Sequence, residues 1–335
     1  MTEPRAVCEI FDTTPDTFEE IASGYQPVVL RGLARDWPGV AAGRAGDAEL
    51  ARYFARFQGG KPLNLLAGGP QIDGRFFYRD DMRGFNFERG QITLQLLLEA
   101  LLNEAENPAP PALYAGSASA PDHFPGWSEE NVLPLATPGA VPRVWIGNAS
   151  RVSTHYDASS NIAVVVAGRR RFSLFPPEQA ANLYVGPLDV TMAGQPTSMV
   201  DIEAPDLARF PRFRDAVAAM QVAELEPGDA IFVPSLWWHE VRATGPLNVL
   251  VNYWWGQADQ GSPFPALVHA ILSIRDLPPG EREAMRAWFD LYVFGDDARH
   301  VADHLPASAH GILGPPSPQR NQMMRGFLQR TLARE

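Results

Sequence analysis

Residues 153–161 read STHYDASSN, and from Asn161 the chain runs on as NIAVVVAGRRRFSLFPP. The first piece reads as the start of a strand. In a strand, positions i and i+2 share a face, so His155 and Asp157 point together and Tyr156 points away. Alternation along RRRFSLF places Arg170, Phe172 and Leu174 on one face, with Arg169, Arg171 and Ser173 on the other. The second set is polar and reads as the solvent side. The first is apolar apart from Arg170, which would carry a guanidinium into the interior. A buried cation is costly without a partner, and its planar fork suits a carboxylate held by two hydrogen bonds. An internal salt bridge, a ligand carboxylate, or a side chain reaching back to solvent would each answer that need.

The surrounding texture is the same. From 112 to 255, short apolar runs recur between turn signals: ALYAG, PRVWIGN, NIAVVVAG, RRRFSLFPP, DAIFVP, WWHEVRAT and NVLVNYWW. This predicts a sandwich or barrel of short strands. Glu226-Pro227-Gly228-Asp229 suits a type II turn. A longer irregular segment, 182–223, interrupts the strands, as segments that rim a site often do. Before the barrel the signals are mixed. TPDTFEEIAS has a helix start at Pro15 and Asp16, QPVVLRGL reads as a buried strand, and 92–107 has helical spacing closed by PAPPA. After Pro263 the chain is helical, and its last segment places Met324, Phe327, Leu328 and Leu332 on one stripe. That stripe packs on the chain's own body or forms a dimer contact.

Two ligands on one strand call for a third from elsewhere. His239, in PSLWWHEV, begins another strand and is the candidate. Two histidines and a carboxylate bind Fe(II) as a facial triad with three positions left open. The other histidines, His123, His269, His300, His304 and His310, fall in loops or predicted helices. His300 and His304 have an i, i+4 spacing but no adjoining pattern such as HExxH. Asn161 and Asn252 are polar residues in apolar strands, where they either satisfy backbone groups or contact a bound ligand. Trp127, Trp237 and Trp238 either line a substrate groove with the 182–223 segment or are ordinary core.

Composition narrows the function. The 335 residues carry a net charge of -11, which argues against general affinity for nucleic acid or an anionic membrane. Cys8 is the single cysteine, so no thiolate cluster or intrachain disulfide is expected. The chain has no apolar run of membrane-spanning length, and its start lacks the blocks of a signal peptide. A cytoplasmic protein is the expectation. Lys61 is the only lysine, so nearly every cation is arginine.

The ordered set STHYD, NIAVVVAGRRRFSLFPPEQAANLY, FPRF, LEPGDAIFVPSLWWHEV and VNYWW resembles the JmjC, or cupin-like, oxygenases over residues 114–255. Within them it is most similar to the asparaginyl-hydroxylase branch that inhibits hypoxia-inducible factor. QPVVLRGLARDWPG is similar to the family's N-terminal strand. The resemblance implies a mainly β fold, a double-stranded β-helix (jelly-roll or cupin) core, with flanking N-terminal α/β elements and C-terminal helices. The implied divisions are 1–111, 112–258 and 259–335. It also implies Fe(II) held by His155, Asp157 and His239, and 2-oxoglutarate as co-substrate. Arg170 stands where the family has a lysine for the distal carboxylate, and Val152 where it has a threonine. Ser153 or Thr154 is then the source of a hydroxyl, since strict alternation admits only one of them. Tyr114, Asn161 and Asn252 match residues near metal or co-substrate.

The resulting expectation is an Fe(II)/2-oxoglutarate-dependent dioxygenase that hydroxylates a protein or peptide side chain. A small-molecule substrate is the other option, and a homodimer through the C-terminal helices is implied. The rival readings are a metal-dependent cupin enzyme that does not use 2-oxoglutarate and a non-catalytic cupin-fold binding protein.

Overall fold

Two long strands, Ser160–Phe175 and Trp238–Trp255, organise a computed structural model that describes residues 4–256 and 262–333. The sequence breaks each into two runs, whereas the backbone carries each through a corner as one strand. Gly168 (φ +74°) makes the turn in the first, beside register shifts between Val165 and Arg169. A Cβ at Gly168 would run into the Asn248 side chain, so this corner needs glycine both for its backbone angle and for space.

Each half of a long strand belongs to a different layer. Asn161–Val164 pairs with Ala230–Val233, and 248–252 pairs with Arg143–Gly147. Beyond these the layer extends to Val28–Arg31 on one side and to Ala112–Ser119, Leu63–Gly68 and Glu88–Ile92 on the other. The other halves, 170–174 and 238–243, pair with Gln221–Leu225 and Ser150–Tyr156. The two-residue strands Arg5–Ala6 and Arg75–Phe76 add to that layer's edges. This is the expected double-stranded β-helix, with 13 strands in all.

The apolar run NIAVVVAG lacks polar alternation because both of its faces are covered. Ile162, Val164 and Val166 pack outward, into a core shared with Trp37, Phe54, Leu97 and Trp127 of the N-terminal part. Ala163 and Val165 pack inward with Phe172, Leu174, Leu225, Val233 and Trp237. The N-terminal helices behind the large layer have strong starts. Thr14 and Thr17 form a capping box on Pro15–Ser23, and the Thr93 hydroxyl accepts from the Leu96 amide at the head of Leu94–Asn103. The Pro227–Gly228 turn is present, with Gly228 at φ +99° and the Asp229 amide bonded to the Glu226 carbonyl at 3.0 Å. Part of the 182–223 segment covers the small layer from outside, where Leu183, Val200 and Phe213 pack on Phe175 and Trp238.

Met1–Gly256 and Gln257–Glu335 are separate compact units, and the expected boundary at 258/259 lies outside the described residues. The second unit holds the helices Phe264–Ser273, Pro279–Phe289 and Pro318–Leu332. The Ser317 hydroxyl caps the last of these, accepting from the Arg320 amide at 3.1 Å. Phe327, Leu328 and Leu332 stand open, as do Trp288, Leu291, Tyr292, Val293 and Phe294.

Candidate metal centre and its cavity

His155 comes from the end of Ser150–Tyr156, Asp157 from the residue just beyond it, and His239 from the start of Trp238–Trp255. One ligand atom from each lies within 4.8 Å of the others. The two imidazole rings are 4.4 Å apart between centroids, and Nε2 of His239 is 3.7 Å from Oδ2 of Asp157. Both rings are oriented from behind. The Nδ1–H of His155 donates to the Ser153 carbonyl at 2.9 Å, and that of His239 to the Trp237 carbonyl at 3.0 Å. A carbonyl can only accept, so each proton sits on Nδ1 and each Nε2 lone pair is free for a metal. Burial, then the charge of His155, lowers the His239 pKa to about 4, with Asp157 pulling the other way. His239 is therefore a neutral ligand at physiological pH. Two imidazoles and a carboxylate on one side of a shared point fit a divalent iron.

Alternation alone does not explain how His155 comes to face inward. His239 pairs with His155, while Val241 pairs with Val152. Ser153 and Thr154 thus stand together opposite Glu240, a β-bulge that shifts the parity of the strand and re-aims His155. The strand's outer edge is held by the next segment: Thr197 bridges to His155, and the Ser198 amide donates to the Thr154 carbonyl at 2.8 Å.

A cavity of about 240 Å³ opens against His155 and Asp157. Its wall is mainly apolar and aromatic, with Phe76, Phe87, Tyr114, Trp145 and Trp254 prominent. Tyr114 stacks on Trp145 and on Phe76. Ser117, Ser153, Gln195 and Thr197 are its polar neutral groups. The wall includes Ser153 and not Thr154, so of those two hydroxyls Ser153 is the one that borders the space. Thr154 is fully buried, and its hydroxyl has no hydrogen-bond partner among the described residues.

Arg170 faces inward as alternation predicts. It is 2% exposed. Its Nη1 donates to Oδ1 of Asn248 at 3.0 Å, and among the described residues no carboxylate pairs with it. Desolvation lowers its pKa to about 10, opposed by the nearby Tyr114. Tyr114 is raised to about 12 by burial, with the Arg170 charge opposing. Asn161 and Asn252 are buried in the same interior, and the Asn161 Oδ1 has no partner among the described residues. Arg170, Asn161 and Asn252 do not border the cavity.

Other sequence candidates lie elsewhere. Trp127, Trp237 and Trp238 are all core, each in a different cluster. Of the two readings open for these tryptophans the core one holds, and Trp145 and Trp254 line the cavity. Alternation from Leu250 and Asn252 leads to Trp254, so that position was within reach of the sequence. The Nδ1–H of His123 meets the Ser119 carbonyl, His300 bonds Asp303, His310 bonds the Leu305 carbonyl, and His269 and His304 are exposed.

The fold and the two-histidine, one-carboxylate centre together define a metal-binding cupin. The chain matches the cupin-like domain family over residues 14–261, well over half its length, and belongs to that family. It is 32% identical over 165 residues to the lysine-specific demethylase JMJ31 of Arabidopsis thaliana, covering 49% of this chain and 28% of the relative. To lysine-specific demethylase 8 of Xenopus tropicalis it is 37% identical over 112 residues, 33% of this chain and 24% of the relative. To the tRNA wybutosine-synthesizing protein 5 of Danio rerio it is 37% identical over 102 residues, 30% and 28% of the two chains. The matched region thus spans about a quarter of each of these curated relatives. No helix among the described residues is long and apolar enough to cross a membrane.

Proposed function

We propose that this protein is an Fe(II)- and 2-oxoglutarate-dependent oxygenase that hydroxylates a protein or peptide side chain. The observation that carries the reading is the convergence of His155, Asp157 and His239, with both imidazoles pinned through Nδ1. Bound there, Fe(II) and 2-oxoglutarate supply the activation of oxygen and the insertion of hydroxyl into a C–H bond. The three side chains would hold the metal from one side. Arg170, buried and without an acid partner among the described residues, would supply the positive charge for the far carboxylate, with Tyr114 nearby. The aromatic wall excludes water and seats the substrate group next to the metal.

Of the relatives, two are named for lysine demethylation and one for wybutosine synthesis in tRNA. A net charge of -11 disfavours a polyanionic substrate, which leaves a protein side chain as the preferred target. The narrower likeness to the asparaginyl hydroxylase that inhibits hypoxia-inducible factor belongs to this same proposal. So does a homodimer through the C-terminal unit, supported by its open apolar residues.

A second reading, a metal-dependent cupin enzyme without 2-oxoglutarate, is favoured by one observation: the cavity against the metal ligands does not border Arg170. Anaerobic addition of Fe(II) to the apoprotein, with and without 2-oxoglutarate, separates the two. A charge-transfer band that needs both supports the oxygenase. Iron binding indifferent to 2-oxoglutarate selects the second reading.

A further inference from the structure

We propose that Trp254 is a positioning residue that sets the orientation of the metal-binding carboxylate. The inference rests on the metal centre proposed above. The indole Nε1–H of Trp254 donates to Oδ2 of Asp157 at 3.0 Å. The same oxygen lies 3.7 Å from Nε2 of His239.

Asp157 needs such a partner more than the histidines do. It stands one residue past the end of its strand, so no ladder bond aligns its side chain. Its backbone is held by a single described contact, the Leu236 amide donating to its carbonyl at 2.7 Å. Each histidine is fixed by its own Nδ1–H bond, whereas a carboxylate has only acceptors and must be fixed by a donor. Trp254 supplies that donor.

The choice of an indole is chemically specific. It gives one N–H and no charge, so it does not compete with a cation for the carboxylate, as arginine or lysine would. One hydrogen bond takes only one of the lone pairs on Oδ2 and leaves another, so the indole can fix the direction of the carboxylate without blocking it as a ligand. Trp254 is itself held in place. Its strand position pairs with Asn161, and its ring meets Trp145 edge-on at 6.0 Å and 75°. Its ring also borders the cavity, so the residue that orients the metal ligand shares a wall with whatever enters.

The test uses Co(II), an air-stable probe, titrated into the metal-free full-length protein. Its visible d–d bands report the ligand geometry. Trp254→Phe should weaken Co(II) binding by about tenfold or more, the usual range for loss of a group that orients a metal ligand, and should change the d–d bands. Trp255→Phe is the control. Trp255 lies on the opposite face of the same strand, stacked on Phe232, and its loss should leave affinity and bands as in wild type. If Trp254→Phe does not fold, 3-benzothienylalanine placed at 254 by codon suppression keeps the ring's shape and removes only the N–H. Wild-type affinity and bands in either Trp254 replacement overturn the inference while leaving the metal centre standing. Equal losses in the Trp254 and Trp255 variants overturn it too, because packing would then account for both. If wild type itself binds no Co(II), the metal centre falls and the inference with it.

Discussion

Replacing Arg170 with methionine should make the apoprotein more stable and take away its response to 2-oxoglutarate. The guanidinium is 2% exposed, has Asn248 as its side-chain partner among the described residues, and has its pKa lowered to about 10, mainly by desolvation. A basic group with a lowered folded-state pKa is charged at a cost. That cost is present in full at every pH below about 10 and fades only as pH rises from there toward the ordinary arginine value. At 1.36 kcal/mol per tenfold, it comes to about 3 kcal/mol. Methionine fills much of the same volume without charge, and its main penalty is an unpaired Asn248 Oδ1, about 1 kcal/mol. The net is a gain of about 2 kcal/mol, in line with other replacements of buried ions by apolar side chains. For a unit of this size that is a rise of roughly 4–8 °C in Tm. Urea unfolding of metal-free protein at pH 7 measures the gain, and the Fe(II)/2-oxoglutarate charge-transfer band, absent in the variant, measures the loss. A lower urea midpoint in Arg170→Met would refute the reasoning, because the guanidinium would then be holding the barrel together and not waiting for an anion.

Other consequences can be checked separately. Burial raises Glu240 to about 7, against the pull of Arg151. Ionising it in the fold therefore costs stability, in full above about pH 7 and not at all below about 4.5. Glu240→Gln should stabilise the protein by up to about 3 kcal/mol at pH 8 and change little at pH 4.5, as read by urea midpoints at the two values. Gly168→Ala should cost at least about 2 kcal/mol in the same assay, from the positive φ and the clash with Asn248. Light scattering after gel filtration should find two chains per particle, and one in the double variant Phe327→Glu, Leu328→Glu.

Much of the candidate site could be read from residue spacing because its ligands obey local rules. His155 and Asp157 lie two apart at a strand end, and the inward parity of Arg170 follows from Phe172 and Leu174. What spacing could not reveal is set by partners distant in the chain. The bulge at Ser153–Thr154 exists only relative to Glu240 on another strand, so counting by twos misjudges the wall, which Val152, Ser153 and His155 all border. Phe76 reaches the cavity from a strand of two residues, too short to carry a periodicity. The tryptophans of PSLWWHEV leave a groove and a core reading open because they adjoin a ligand. They are buried in two different cores, Trp237 just before the strand and Trp238 at its first residue. The long strands were read as pairs of short ones because Gly168 and Gly245 mimic turn signals, while the ladder continues on either side of each corner.

The pairing of the long strands also acts as a gauge. Leu174 lies opposite His239, and Arg170 lies opposite Ala243. The metal end and the cationic end of the interior are therefore four strand positions apart, about 13 Å of backbone at the usual rise. Side-chain exchanges can trim the reach at either end, but the backbone interval itself changes only by insertion or deletion. A one-residue change would turn Arg170 or His239 to the opposite face, so the interval can be reset only in steps of two. A ligand that touches both ends is thus selected by its length before its chemistry is tested.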